Sequence, residues 1–146
     1  MAAIRFKMAV DKTGQVQPAN LTSAQLKAIG QVMVRAQKER WSRGVNADDQ
    51  TARPLHRITA KGKVTYGANP IRDMVMTGLT KENFTLRKWT ATDIRAENTS
   101  REARRHARQA QRFEQMIGIS PNDRDQIFGA VYRAYSAYLK RAWKPT

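Results

Sequence analysis

The amino-acid sequence predicts an α+β fold, in which a small antiparallel sheet packs against one long helix from the N-terminal half and two helices from the C-terminal half. Residues 3–10 and 83–97 have the alternation or the composition of β-strands. Three segments that follow Thr22, Thr99 and Ser120 instead carry apolar or alanine residues at helical spacing. The 146 residues contain no internal repeat, low-complexity tract or linker, so we expect a single domain over residues 1–146.

The predicted strands differ in how clearly they are marked. Residues 3–10 place an apolar side chain at every second position, which predicts a half-buried strand before a turn at 11–14. A short strand is expected at 64–66. The β-forming residues of 83–97 predict a long strand, or a hairpin that turns near 91–92.

The first long helix has the clearest start in the chain. Thr22 and Gln25 have the spacing of a capping box, and the helix should end near 41–42, where Gly44 can adopt a left-handed conformation. A brief helix is expected from Pro70 to Gly78. The apolar stripe of the long helix comprises Leu26, Ile29, Met33 and Ala36.

Two further helices are predicted in the C-terminal half. Thr99 and Glu102 form a second capping-box pattern. In the last helix Ser120 is the cap, Pro121 takes the first helical position, and Asp123 places negative charge at the positive end of the helix dipole. We expect its buried face to contain Ile127, Val131, Ala134 and Tyr138, extended by Phe128, Tyr135 and Leu139.

Composition excludes several classes of function. The chain has no cysteine, two distant histidines (His56 and His106) and no metal-binding or phosphate-loop motif, so we expect no metal, no cofactor, no small-molecule substrate and no enzymatic activity. No apolar run approaches the length of a membrane span, and the charged N-terminus is not a signal peptide. The Asp48-Asp49 pair is interpreted as turn chemistry, and His106 as a packing residue.

Charge is the strongest compositional signal. Lys and Arg number 27 and Asp and Glu 12, a net charge of +15 that predicts a polyanionic or acidic partner. Five arginines share one face of the helix after Thr99, and only Glu102 offsets them. We favour contact with DNA or an acidic partner over a merely solvated face, because solvated faces normally mix both signs. This arginine stripe comprises Arg101, Arg104, Arg105, Arg108 and Arg112.

A second basic cluster lies in the β-rich segment. Arg87 and Lys88 precede Trp89, a combination found where proteins stack on single-stranded bases. We favour a core position for Trp89 and treat Arg87 and Lys88 as secondary basic contacts. Trp41 and Trp143 are expected to close the core or lie in an interface.

Three short segments resemble the phage virion morphogenesis (tail completion) family. The first, residues 44–55, is an acidic, Gly-containing stretch that ends in Pro-Leu and leads into the Lys-rich 61–63. The second, 70–78, ends in Thr-Gly, and the third, 117–123, is similar to the family's Leu-Gly-Ile-Ser junction before the last helix. The family's His-Gln-x-Gly and Pro-Ala-Arg-Pro elements are replaced here by other residues around His106.

The resemblance implies a structural virion protein at the head–tail joint of a tailed bacteriophage. Members of the family form rings in the particle and contact connector and tail proteins around the DNA passage, after assembly in the host bacterial cytoplasm. We therefore expect a long functional loop at about 43–63 to lie in an interface. Its interface side chains would be Arg53, Pro54, Leu55, Lys61 and Lys63. A sequence-nonspecific nucleic-acid-binding protein that uses the arginine stripe is the alternative.

Overall fold

The computed structural model describes residues 3–6, 21–67, 70–71, 79–112 and 114–142. The fold is α+β, as the sequence predicts. In chain order its elements are β1 (Ala3–Phe6), α1 (Ser23–Ser42), α2 (Arg57–Thr65), α3 (Leu79–Glu82), β2 (Phe84–Trp89), β3 (Ile94–Asn98), α4 (Arg101–Gln111) and α5 (Pro121–Ala142).

The sheet has the order β1-β3-β2, and both strand pairs are antiparallel. Ala96 of β3 lies opposite Ile4 on one side and Leu86 on the other. The β2–β3 register shifts between Leu86 and Lys88, which marks a bulge. β2 and β3 form the hairpin expected over 83–97, and its turn is closed by the Thr90 N–H, which donates to the Asp93 carbonyl (3.0 Å). Residues 7–10 of the first predicted strand lie outside the described part of the chain.

Helix α1 lies between the sheet and α5. It packs against β2 and β3 on one side and against α5 on the other, while α4 contacts β3 and α3. Both C-terminal helices thus belong to the packed body, although α5 reaches the sheet mainly through α1. Close approach of α1 to β2 depends on Gly30, because a Cβ there would lie 2.5 Å from Leu86 Cδ1.

The core is formed where α1, the sheet and α5 meet. Trp41 and Phe84 are fully buried and pack edge to face, with ring centroids 5.1 Å apart. Further buried side chains come from every layer and include Ile29, Met33, Ile94, Met116 and Ile127. The stripe predicted for α1 is therefore the face that it buries.

The predicted boundaries of α1 are confirmed. The Gln25 N–H donates to Thr22 Oγ1 (3.2 Å), and the Thr22 N–H donates to Gln25 Oε1 (2.9 Å), which completes the capping box. Gly44 has φ +63°, the left-handed conformation expected just beyond the helix.

Two predictions for residues 43–66 are wrong. The expected loop ends at His56, because α2 begins at Arg57, and the expected strand 64–66 is the end of that helix. His56 Nδ1 accepts from the Ile58 N–H (3.4 Å), and the Tyr66 N–H donates to the Gly62 carbonyl (3.1 Å). Local helical bonds satisfy this backbone, and they override the weak strand preference of the Val-Thr-Tyr sequence. Of the helix expected at 70–78, the structure describes only residues 70–71, as a bend, and the rest lies outside the described residues.

The start of α4 is shifted by one residue from the prediction. Ser100, not Thr99, is the cap, since its Oγ accepts from the Ala103 N–H (3.0 Å). The Thr99 N–H donates to the Asn83 carbonyl (3.1 Å) and so extends the β2–β3 pairing. The Thr99 hydroxyl also bonds to the Asn83 side chain (3.3 Å), and Ser100 is the residue whose hydroxyl caps the helix.

Helix α5 begins as predicted but buries a narrower face. The Asp123 N–H donates to Ser120 Oγ and the Ser120 N–H donates to Asp123 Oδ2, both at 3.1 Å. Ile127 is buried, but Phe128 is 55% exposed, which corrects its assignment to the core. One step along the helix turns Phe128 by about 100° from Ile127, away from α1. Tyr138 and Leu139 lie among the residues whose side chains the structure does not describe.

Candidate assembly and polyanion-binding surfaces

Residues 44–55, the loop segment, form an ordered structure through their own backbone bonds. Val45 and Thr51 form an antiparallel bridge, and the Ala52 N–H donates to the Gly44 carbonyl (2.7 Å). The Asn46 side chain closes the turn by accepting the Asp48 N–H (2.9 Å). Asn46 therefore makes the side-chain bond of this turn, and Asp49 has the left-handed backbone conformation that turns use.

The loop segment contacts residues 114–120, the junction segment that leads into α5. The Ala47 N–H donates to the Gln115 carbonyl (2.8 Å). Glu114 accepts from the Asn46 side-chain amide (2.8 Å) and from the Arg53 N–H (2.7 Å). These contacts place the first segment of the family resemblance beside the residues that immediately precede the third.

Arg40, a residue of α1, stabilises the contact between the loop segment and the junction segment. Its guanidinium is fully buried on α1, and Nε lies 2.9 Å from Asp123 Oδ2 at the start of α5. The remaining donors bind carbonyls of both segments: Nη2 donates to Gly118 (2.8 Å) and Met116 (3.2 Å), and Nη1 donates to Val45 (3.2 Å). One side chain therefore connects α1, the loop segment, the junction segment and α5.

Two further α1 side chains bind the same junction backbone. Trp41 Nε1 and Gln37 Nε2 both donate to the Met116 carbonyl, at 2.8 and 3.2 Å. Our sequence analysis did not identify these roles. The available signal was spacing, because Gln37 and Arg40 continue the buried stripe of Met33 at offsets of four and seven.

Asp49 links the loop segment to α5. It has φ +60°, and its Oδ2 accepts the Asn122 N–H (2.8 Å) in the first turn of that helix. Burial by itself would raise the Asp49 pKa. Hydrogen bonds from Asn122 and Ser120, together with the charge of Arg40, outweigh burial and hold the pKa below its ordinary value.

The residues expected to form an interface loop do not share one environment. Lys63 is buried, and its Nζ donates to the Ile71 carbonyl (2.6 Å), so the ammonium group is held inside the structure. Its long aliphatic stem and a satisfied donor make this burial possible. Leu55 is half-buried, whereas Arg53, Pro54 and Lys61 are exposed.

Helix α2 presents large apolar side chains to solvent. Ile58 is 75% exposed, Val64 60% and Tyr66, at the C-cap, 80%. We call these three residues the α2 apolar surface. Ile58 and Val64 point in different directions, about 120° apart at about 100° per residue. A short helix that exposes apolar side chains on more than one side is a candidate for contact with a partner. This surface was not predicted, because the sequence pattern assigns Ile58 to a loop and Val64 and Tyr66 to a strand.

The arginine stripe lies on α4 with the predicted two-sided character. Ala103 and Ala107 are fully buried, whereas Arg101, Arg105, Arg108 and Arg112 are exposed. Arg104 differs, because it is half-buried and its Nη2 donates to the Thr99 carbonyl (2.9 Å). Within the described part of the chain, no carboxylate forms an ion pair with the stripe.

The basic cluster on β2 is divided between solvent and protein. Arg87 is exposed, and Lys88 pairs with Asp93 (3.2 Å) at the surface. Trp89 is half-buried against the core, its Nε1 donates to Ser23 Oγ (3.3 Å), and Lys27 Nζ lies 5.2 Å from its ring centroid. Trp89 is therefore a packing residue first, in accord with the favoured interpretation.

Metal sites and membrane-spanning helices each have a recognisable structural requirement. No group of three or more His, Asp or Glu residues in the described ranges could hold a metal ion. None of the described helices is long and apolar enough to cross a membrane. Comparison with known proteins found no matching family model, no matching curated sequence and no matching solved structure.

Proposed function

We propose that this chain is a structural virion protein of a tailed bacteriophage, a neck or tail-completion component that forms a ring at the head–tail joint. The observation that carries the proposal is the α2 apolar surface, which follows directly after the loop segment. Apolar side chains that are mostly exposed in one chain suit an interface that forms on assembly. The subunits would associate head to tail, because such contacts close into rings.

The arrangement of the loop segment supports this proposal. Its backbone is tied to the junction segment and, through Arg40, to α1 and α5. Helix α2 thus extends from a rigid base, and its position relative to the body is defined at its N-terminal end. A fixed base is what a repeated contact in a ring requires.

In this role the chain would be synthesised and assembled in the host bacterial cytoplasm. It would then reside in the virion, in contact with connector and tail proteins. It would act without catalysis, cofactor or small-molecule substrate. The positive charge would face acidic partner surfaces or the passing double-stranded DNA.

Complementation of a gene deletion tests the role of α2. We expect Ile58→Asp with Val64→Asp to lower the titre of infectious particles by a factor of about 100 or more, because charges cannot enter an apolar interface. The purified variant should unfold at the same urea concentration as the parent, since both side chains are exposed. Thr92→Asp with Gln126→Asp is the matched control, since it adds two carboxylates at exposed positions elsewhere. Equal titres for the two double variants would refute the proposed interface.

A second function is favoured by the arginine stripe. Three exposed arginines on α4, with Arg112 just beyond its end, suit sequence-nonspecific binding to nucleic acid. We expect Arg101→Gln, Arg105→Gln and Arg108→Gln together to reduce the slope of log affinity against log salt for random duplex DNA by up to about 2.7, at about 0.9 per phosphate contact. An unchanged slope would remove the stripe from DNA binding. Arg104 is omitted because it binds the Thr99 carbonyl.

A further inference from the structure

A groove of about 610 Å³ runs between α1 and β2, away from the loop segment, α2 and the arginine stripe. Its floor is apolar and contains the half-buried Val34, Leu86 and Trp89. The α1 residues that line it lie at offsets of four, seven, eight, eleven, twelve and fifteen from Lys27, which is a single helix face. None of the roles proposed above uses this face.

The rim of the groove is cationic. It carries Lys27, Arg35, Lys38 and Lys81, with Glu39 as the single carboxylate among the lining residues. Glu39 lies 3.9 Å from the Arg35 guanidinium, where both side chains are largely exposed. The three lysines therefore present positive charge that the groove itself does not balance.

Two of these lysines repel each other. Burial lowers the pKa of Lys38, and the Lys81 ammonium lowers it further, while Glu82 acts in the opposite direction. The Lys81 ammonium also donates to Ser42 Oγ, which holds it at the C-terminal end of α1. A carboxylate placed between the two ammonium groups would relieve this repulsion.

The groove also reaches the edge of the sheet. β2 is an outer strand in the order β1-β3-β2, and in the described part of the chain it pairs with β3 alone. Thr85 lines the groove although its neighbours Phe84 and Leu86 face α1, so the groove opens along the strand edge. Main-chain donors and acceptors at such an edge can pair with an added strand.

We propose that this groove binds an extended acidic peptide segment of a partner protein, which adds as a strand to β2, with apolar side chains on the floor and carboxylates between the lysines. The length of the groove suits a short extended peptide. From Lys27 to Ser42 the helix extends about 22 Å at about 1.5 Å per residue, which an extended chain covers in about seven residues. In that strand every second side chain would face α1, and these positions would carry both the Leu or Val that meets the floor and the Glu that meets the lysines.

A single-stranded nucleic acid fits the groove less well. Proteins bind such strands by stacking bases on open aromatic faces. Here Val34 and Leu86 are aliphatic, and Lys27 already covers the Trp89 ring. An edge strand also offers main-chain hydrogen bonds that a peptide matches and a nucleotide backbone does not.

Titration of a fluorescently labelled peptide of about nine residues tests the proposal at about 0.15 M salt. Its even positions carry Glu and Leu in turn and its odd positions carry Thr, so that one face of the strand presents both kinds of side chain. We expect Lys38→Gln with Lys81→Gln to weaken binding about tenfold or more. The matched control, Arg101→Gln with Arg105→Gln, removes the same charge from α4 and should change affinity by less than about twofold. Circular dichroism confirms that both variants fold.

Two further probes separate the alternatives. Methylation of every backbone amide in the peptide should abolish binding, because it removes all donors that can pair with β2. A labelled oligothymidylate of about twelve nucleotides should bind without sensitivity to the Lys38/Lys81 substitutions. The proposal is overturned if the peptide fails to bind, if the α4 control weakens it equally, or if the methylated peptide keeps its affinity. It is also overturned if the oligonucleotide, and not the peptide, loses affinity with Lys38 and Lys81. Because the assay uses the isolated protein, its outcome is independent of the proposed function in the virion.

Discussion

Replacing Arg40 by methionine removes the side chain that connects α1 to the loop and junction segments. Methionine preserves much of the buried volume but leaves Asp123 without its cation and three carbonyls without that donor. Loss of one partner of a buried ion pair costs about 3–5 kcal/mol. A domain of this size has about 5–15 kcal/mol of total stability, so the variant should be folded but much weaker.

Urea unfolding followed by circular dichroism measures this loss directly. Arg35→Met is the matched control, because Arg35 makes an exposed ion pair on the same helix and its loss should cost about 0–1 kcal/mol. Asp123→Asn and the double variant with Arg40→Met complete a mutant cycle. The double variant should lose less than the sum of the single losses, by about 0.5–3 kcal/mol, because each single variant leaves a buried group unpaired.

Hydrogen exchange at the Ala47 amide adds a local measure. This amide donates to the Gln115 carbonyl across the loop–junction contact, and Arg40 binds both segments. Faster exchange at Ala47 in Arg40→Met would show that the contact opens. If Arg40→Met and Arg35→Met lose the same stability, or if the cycle is strictly additive, Arg40 does not hold the segments together.

Three further predictions follow from single positions. Asp49→Asn should cost about 0.3–1 kcal/mol at neutral pH, since the charge favours the α5 N-terminus. Because the Asp49 pKa is lowered in the folded protein, this contribution is fully present above the ordinary Asp pKa of about 3.9 and is lost as the pH falls through the lowered value. In strong acid, urea unfolding should therefore give the same free energy of unfolding for the parent and the variant. Gly30→Val should lower the free energy of unfolding by about 1–3 kcal/mol, because the added side chain overpacks against Leu86 and Ile94. Ala28→Val, on the exposed face of α1, should lower it by about 0.5 kcal/mol. Similar thermal midpoints for the two variants would contradict the close approach of α1 to β2. Ser100→Ala should cost about 1 kcal/mol of α4 stability and exceed Thr99→Ala, and a larger loss for Thr99→Ala in urea unfolding would contradict the assigned cap.

Local signals in the sequence located most elements of the fold. The Thr22–Gln25 pair, Gly44 and the Ser120-Pro121 start all act within a few residues, and the structure places each where the pattern predicts. α2 was missed because Val64 and Thr65 favour strands weakly, while the hydrogen bonds of a helix are local and need no partner strand.

Contacts between distant residues could not be predicted in the same way. Arg40 and Asp123 are separated by 83 positions, and a charged residue in an apolar stripe does not identify its partner. The burial of Lys63 depends on a carbonyl at Ile71 that no local pattern identifies. The exposure of Arg101, Arg105 and Arg108 was predictable, because helical periodicity places them away from the buried Ala103 and Ala107.

The proposal of a neck protein is tested most directly by mass spectrometry of purified phage particles from a strain that carries the gene. We predict that peptides of this chain are present in intact particles purified by density gradient, in several copies per particle, as a ring requires. Their presence in the cell lysate, together with their absence from infectious particles, would contradict a structural role in the virion.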